Sequence, residues 1–315
     1  MATSVDQNEK DLLAAVDRVG DWQGKAFRYE PVKGGITNPN WKVVVDDSAF
    51  FVKIPGRGTE VFIDRRNCHA ANLIAEKAGI GPRVCYFFED TGVEIFEFME
   101  GYRTLNYGDV YKRDLFYKII EVARRFHQSN ATLPLMQTAF DQTFKMFSMA
   151  KDLKAYLPPE INRMEWLARA IEDAILTAGI GYVPCHNDLT IANFIHDDLT
   201  GEMKLLDFEY ASMNDPCFDF AVMSGARYFT EAMDVEWIRY YYGVYNEEKF
   251  ARMKLYKIVA DMKWAMWSLV QAVQSPIQGF DYFNWYGTKM ARLRHFWNDP
   301  RLDYWINMVK GVPIF

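Results

Sequence analysis

The hydrophobic pattern of this 315-residue chain changes period near "EFMEG", residues 97–101, and that change constrains the fold more than any other feature. Before it, "KAFRYEPV", "NWKVVVDD" and "SAFFVKIP" are short β-prone runs, separated by "KGGITNPN" and by a hairpin signal at Asp46-Asp47-Ser48. A helical pattern runs from about Ile63 to Ala78 and stops at Gly79. After it, "RVCYFFED" and "GVEIFEFM" return to strand around an Asp90-Thr91-Gly92 turn. Beyond Gly101, apolar residues recur at helical spacing over Tyr107 to Gln128, Ala139 to Tyr156 and Glu160 to Ala178, and helix dominates again from Phe218. Only Pro184 to Phe208 reads as short strands and loops. The pattern predicts an α+β chain in two parts. Residues 1–100 form an N-terminal lobe with a five-stranded antiparallel sheet and one main helix, and residues 101–315 form a mostly helical C-terminal lobe.

The function lies in the one irregular stretch of the second part, "CHNDLTIANFIHDDLTGEMKLLDFEY". It carries a carboxylate at Asp188, an amide at Asn193 and a second carboxylate at Asp207, each bordered by apolar residues. Taken alone, D-x-x-x-x-N reads as a loop whose side chains cap backbone N–H groups. A strand, a turn, a strand and then "LLDF" complete a different pattern. Phosphoryl transfer needs oxygen ligands for a Mg²⁺ that bridges the phosphates, and a carboxylate that orients the accepting hydroxyl and takes its proton. Protein kinases place these groups at this spacing, although Glu209 stands here where their D-F-G turn has glycine. Upstream, "KGGITN" is either an ordinary hairpin or a phosphate-approaching loop, in which Gly34 and Gly35 free the backbone and Thr37 and Asn38 add side-chain contacts. Lys53, in the strand "FFVKIPG", follows that loop and precedes the helix, as the kinase strand lysine does.

"CHNDLTIANF" followed by "LLDFEYASMNDPCFDFA" resembles the choline/ethanolamine kinase family, within the wider protein-kinase-like set that includes aminoglycoside phosphotransferases. The likeness covers nearly the whole chain in lobe order and is most specific from Cys185 to Ala221. It implies a protein-kinase-like two-lobe fold using ATP and Mg²⁺. Asp188 would be the general base and Asn193 and Asp207 the metal ligands, with Gly34, Gly35, Thr37, Asn38 and Lys53 around the nucleotide. The sequence departs from the pattern where kinases pair the strand lysine with a helix glutamate. That position aligns with Cys68, leaving Glu60, Glu76 or no helix partner for Lys53.

Aromatic residues make up 16% of the chain, and many fall after residue 220. A quaternary ammonium donates no hydrogen bond, so its recognition calls for aromatic faces and a nearby carboxylate. Trp264 and Trp267, in "WAMWSLVQA", share one helical face. Such a pair is also ordinary core packing. The resemblance extends to this segment and to "FDYFNWY", and it implies Tyr210 and Tyr282 as further acceptor contacts. Glu209 either supplies negative charge to an ammonium or holds its own turn, and His186 holds the loop by hydrogen bonds. The expected acceptor is a cationic alcohol, choline or a related amino alcohol. Thiamine or an aminoglycoside is the alternative, and from another class a catalytically idle quaternary-amine-binding protein.

Composition excludes several other classes. A net charge of −6 disfavours an electrostatic hold on nucleic acid or anionic lipid. No apolar run approaches the roughly 20 residues of a membrane span. The acidic start "MATSVDQNEKDLLAAVDRVGDW" is unlike a signal peptide and predicts a cytoplasmic protein. The four cysteines are scattered without ligand spacing and read as free thiols.

Overall fold

The computed structural model describes residues 4–32, 38–227, 229–275 and 279–312. Helix α1 (Ser4–Asp17) leads into strands β1 (Phe27–Pro31), β2 (Asn40–Val45) and β3 (Ser48–Lys53). Helix α2 (Arg65–Lys77) and strands β4 (Val84–Phe88) and β5 (Val93–Glu97) follow. The five strands form one antiparallel sheet in the order β1-β2-β3-β5-β4. Alternation in β2 sends Trp41, Val43 and Val45 inward, where they pack with Val52 and Ile95 and with Leu12, Ala15 and Val16 of α1. The sequence reading assigned one main helix to this lobe; α1 is a second. Asp64 caps α2 by accepting the Asn67 N–H at 3.0 Å. The Ala71 and Ala75 side of α2 joins the core of the helical lobe, so α2 links the sheet to the helices.

The second part holds α3 (Arg113–His127), α4 (Ala139–Asp152), α5 (Ile161–Ala178), α6 (Pro216–Arg227), α7 (Glu231–Tyr242), α8 (Glu247–Gln274), α9 (Tyr282–Trp297) and α10 (Leu302–Lys310). The first of these starts later than its periodicity suggests. Asp109 is fully buried and accepts from Arg103, Lys112 and the Asn106 N–H, which fixes a separate turn before Arg113. Helix α8 spans 28 residues, about 42 Å at 1.5 Å per residue, and is buried on every side through its middle. Four of its buried charged residues are ion-paired, Arg252 with Asp215, Lys254 and Lys257 with Asp234, and Asp261 with Arg292, while Lys263 meets the Asn187 carbonyl instead. Among the described residues, no helix is long and apolar enough to cross a membrane.

Short strands position the site. Strand β7 (Val183–Cys185) pairs with β10 (Ser212–Asn214), and β6 (Arg103–Thr104), β8 (Phe194–His196) and β9 (Met203–Leu205) form a small antiparallel sheet. The register sets Phe194 opposite Leu205, so Asn193 and Asp207 emerge together from the open end of one hairpin. A 2.8 Å bond from the Leu206 N–H to the Asn193 carbonyl closes that end.

Candidate active site

A cavity of about 920 Å³ is lined by the sheet, the β7–β10 loops, α8 and α9. Apolar side chains of the sheet, Val32, Phe51 and Phe96, form one part of its wall, and Phe98 and Met99 continue it. Asn38, Lys53, Asp188, Asn193, Asp207 and Glu209 share the same cavity with Tyr210, Trp264 and Trp267. Gly34, Gly35 and Thr37 lie outside the described residues.

Asp188 owes its place to the residues on either side. Asn187 adopts φ 62°, a left-handed conformation that asparagine tolerates better than most residues. It is tied on every side. Its N–H donates to Asp219 at 2.6 Å, its side-chain amide donates to the Tyr210 carbonyl and Ser212 hydroxyl, and its side-chain oxygen accepts from Asn214. Asp219, on α6 and fully buried, also accepts the His186 N–H at 2.8 Å and His127 Nε2 at 2.9 Å. His186 takes the Asp188 N–H on Nδ1 at 3.3 Å, so its Nε2 carries the proton and donates to the Leu206 carbonyl at 2.9 Å. Burial lowers the proton affinity of His186, which keeps the ring neutral and confines it to holding the loop.

Burial also drives the Asp188 carboxyl well above the usual carboxylate range, with Lys263 opposing the rise and the Asp207 carboxylate adding to it. Such a group holds a proton more readily than a surface aspartate does, as a base matched to a hydroxyl requires. Five residues on, the Asn193 side-chain N–H₂ donates to the Asp188 carbonyl at 2.9 Å. That bond leaves the amide oxygen of Asn193 as its free donor atom. With the Asp207 carboxylate beside it, the pair offers hard oxygen ligands of the kind Mg²⁺ takes.

Asp207, at φ 67°, is also left-handed, and its carboxylate meets Lys53 Nζ at 2.6 Å across 154 residues of sequence. Lys53 lies 3.2 Å from Glu209. Glu209 in turn accepts from Arg65 at 2.6 Å and from Asn38 at 2.8 Å. Burial works against both charges of this cluster. The mutual attraction prevails, keeping Glu209 well below the usual range and raising Lys53. The missing helix acid is thereby explained. Glu60 is exposed and Glu76 accepts the Val84 N–H, so neither reaches Lys53. The carboxylates come from the Asp207-Phe208-Glu209 turn, and α2 supplies a cation, Arg65. Cys68 contributes only a buried thiol 3.6 Å from the Glu209 carbonyl.

Of the aromatic set, Tyr210 and Trp264 meet edge to face at 5.2 Å, and Trp264 and Trp267 at 5.7 Å. Tyr282 does not line the cavity. It packs 6.1 Å from Trp267 and donates to Ser275, while Trp285, one turn further along α9, reaches the wall instead. Sequence reasoning also passed over Arg65, Asp219 and Lys263. For Trp285 a signal existed in "FDYFNWY"; for the three polar residues none did, since their partners are distant in sequence.

The family model described as choline/ethanolamine kinase matches residues 29–249. The chain belongs to the choline/ethanolamine kinase family. Among curated relatives, ethanolamine kinase 2 of Rattus norvegicus is 25% identical over 90% of this chain and 80% of the relative. Protein LicA of Haemophilus influenzae is 24% identical over 76% of this chain and 72% of its own. A solved choline/ethanolamine kinase family protein of Mesorhizobium loti superposes with a TM-score of 0.82 at 23% identity, covering 96% of this chain and 99% of that one. LicA in complex with AMP superposes with a TM-score of 0.71 at 24% identity over 90% and 98%. The family is one of small-molecule kinases with the two-lobe α+β fold seen here, and its members take a nucleotide as phosphoryl donor and an amino alcohol as acceptor.

Proposed function

We propose that this chain transfers the γ-phosphoryl group of ATP to the hydroxyl of an amino alcohol, choline or a close relative, with Asp188 as the general base. One observation carries the reading: Asp188, Asn193, Asp207 and Lys53 line the same cavity as the aromatic wall of Tyr210, Trp264 and Trp267. The nucleotide base lies against the apolar part of the wall at Phe51, Phe96 and Phe98, and Lys53 and Asn38 lie toward its phosphates. Gly34, Gly35 and Thr37, which the sequence offers as further phosphate contacts, immediately precede Asn38 in the chain. The acceptor occupies the tryptophan end, with Tyr282 acting through Trp267, and Glu209 holds Lys53 and Arg65 in place. Residues 1–100 bind nucleotide, and residues 101–315 carry the base and the acceptor pocket.

In the reaction Asp188 accepts a hydrogen bond from the acceptor hydroxyl and takes its proton as the oxygen attacks the γ-phosphorus in line with the leaving ADP. Asn193 and Asp207 would hold Mg²⁺, which when bound would supply positive charge to offset that of the phosphates. Lys53 adds a fixed cation to the same region, so the site is arranged for negative charge before the substrate enters.

The test is Mg²⁺-dependent ADP release with choline, ethanolamine, thiamine and kanamycin, run beside Asp188→Ala. The expected result is release stimulated by an amino alcohol and abolished in the variant. Stimulation by kanamycin or thiamine alone would overturn the acceptor assignment.

A further inference from the structure

Helix α9 turns one stripe toward the cavity, with Trp285, Thr288, Lys289 and Arg292 at helical spacing along its wall. Two of these are cations. Arg292 is committed to the fold, since its guanidinium binds Asp261 of α8 and donates to the Gly225 carbonyl. Lys289 is 8% exposed and lies along Trp285, its ammonium 4.6 Å from the ring centroid. Burial raises the Asp188 carboxyl, and Lys289 is among the lysines whose positive charge opposes the rise. The lysine of α9 is therefore a cation at the end of the cavity that holds Asp188 and the tryptophans of α8.

We infer that Lys289 binds a carboxylate on the acceptor, so that the preferred substrates are amino alcohols that also carry a carboxylate, hydroxylated amino acids or hydroxylated betaines, with ethanolamine and choline as poorer acceptors. The inference rests on the reading of the tryptophan end as the acceptor pocket. The nitrogen of an amino alcohol calls for aromatic faces, and Tyr210, Trp264 and Trp267 offer them. A cation on the neighbouring helix calls for an anion. The phosphates of the donor have theirs in Lys53, on the sheet. Among the described residues, the charges lining the acceptor end are Asp188, Lys289 and Arg292, the last offset by Asp261. A zwitterion adds no net charge to that set and finds a partner for each of its own charges, whereas choline adds a cation alone. Transfer itself is unchanged: the acceptor oxygen bonds to the γ-phosphorus, the bond from that phosphorus to the ADP oxygen breaks, and the hydroxyl proton passes to Asp188.

The experiment uses the full-length protein, its Lys289→Met variant, which keeps the stem against Trp285 without the charge, and Lys289→Arg, which keeps the charge. KM and kcat are measured with ATP and Mg²⁺ for two pairs of acceptors. L-Serine is ethanolamine with a carboxylate on the carbon bearing nitrogen, and L-carnitine is choline with a carboxymethyl group on the carbon bearing the hydroxyl. In the wild type at least one carboxylated acceptor should exceed its parent in kcat/KM by about tenfold or more, the order of one charge-assisted hydrogen bond. The pair that shows the advantage tells a primary from a quaternary nitrogen. Lys289→Met should remove most of that advantage through KM, and Lys289→Arg should keep it. A lysine that serves the γ-phosphate, or only the fold, would lower turnover of both members of a pair and leave their ratio unchanged, which refutes the inference.

If Lys289→Met does not fold, the wild type decides the matter. Both parents used as well as or better than their carboxylated partners overturns the inference, and a carboxylated acceptor preferred by about tenfold upholds it. Absence of turnover with all four acceptors would instead sink the amino-alcohol kinase reading. The role of Lys289 is then read separately by titrating glycine betaine and tetramethylammonium chloride against tryptophan fluorescence at constant ionic strength, since both carry a methylated nitrogen and neither has a hydroxyl. Tighter binding of glycine betaine by the wild type upholds the carboxylate contact, and equal or weaker binding refutes it.

Discussion

Asp219→Ala removes a single carboxylate that holds the loop carrying Asp188 from beneath. In the native chain it accepts the His186 N–H at 2.8 Å, the Asn187 N–H at 2.6 Å and His127 Nε2 at 2.9 Å, at zero exposure. Alanine provides no acceptor, and the position is fully buried. Two backbone donors left without partners there cost about 1–3 kcal/mol each, or ~4 kcal/mol together. At about 2–4 °C per kcal/mol for a domain of 150–250 residues, Tm should fall by about 8 °C or more. Asparagine keeps one oxygen but turns an N–H₂ toward one of the donors, so Asp219→Asn should lose roughly half as much.

The damage should reach catalysis as well. Asn187 loses one of the ties that hold its left-handed backbone, and a displacement of about 1 Å in a positioned catalytic group costs on the order of 100-fold in rate. Thermal unfolding, amide exchange at residues 186 and 187, and kcat measure the three consequences. The pH dependence has a definite sign. Burial would raise the Asp219 carboxyl, but the His127 bond prevails and lowers it. A carboxyl lowered on folding stabilises fully above its unfolded value of about 3.9 and loses that contribution as pH falls further, so the gap between wild type and Asp219→Asn should narrow below about pH 4. An Asp219→Ala protein with Tm within about 2 °C of wild type and unchanged exchange at these amides would refute the reasoning.

Glu209→Gln leaves Lys53 with Asp207 and takes from Arg65 the carboxylate it pairs with, and should cost about 3 kcal/mol in urea unfolding together with weaker nucleotide binding. Lys257 is 2% exposed beside Asp234, and burial lowers its ammonium to about 8. A lysine lowered on folding opposes stability below that value, so wild type should gain about 3 kcal/mol on Lys257→Met between pH 8 and about 10.4. Paired denaturation curves at the two pH values measure this gain. Asn193→Ala keeps the backbone but removes one proposed metal ligand. It should raise the Mg²⁺ concentration needed for half-maximal turnover while leaving the melting temperature within about 2 °C, a position outside the core.

The sheet was legible because its turns carry strong local signals, Asp46-Asp47-Ser48 and Asp90-Thr91-Gly92, and because β2 alternates cleanly. Helix α1 was not, since a polar amphipathic segment at a chain end reads as an ordinary surface stretch until the sheet face it covers is known. The spacing of Asp188, Asn193 and Asp207 carried the β8–β9 hairpin of the candidate site, since the interval fixes which residues meet at its open end. Partnerships across the fold carried no such mark. Lys53 finds Asp207 and Glu209 more than 150 residues away, and nothing near Cys68 foretells that the acid comes from the opposite side. Lys263 was hidden for a related reason. On a helix buried all round, a lysine reads as solvent-facing until the Asn187 carbonyl and two aromatic faces are found beneath it.

The most direct test of the central claim is ³¹P NMR of the reaction mixture after incubating wild type and Asp188→Asn with ATP, Mg²⁺ and ethanolamine or choline. The account predicts a phosphomonoester resonance of the phosphorylated alcohol growing in step with ADP for the wild type, and none above background for the variant. ATP consumption that yields only inorganic phosphate, or ester formed equally well by Asp188→Asn, would contradict it.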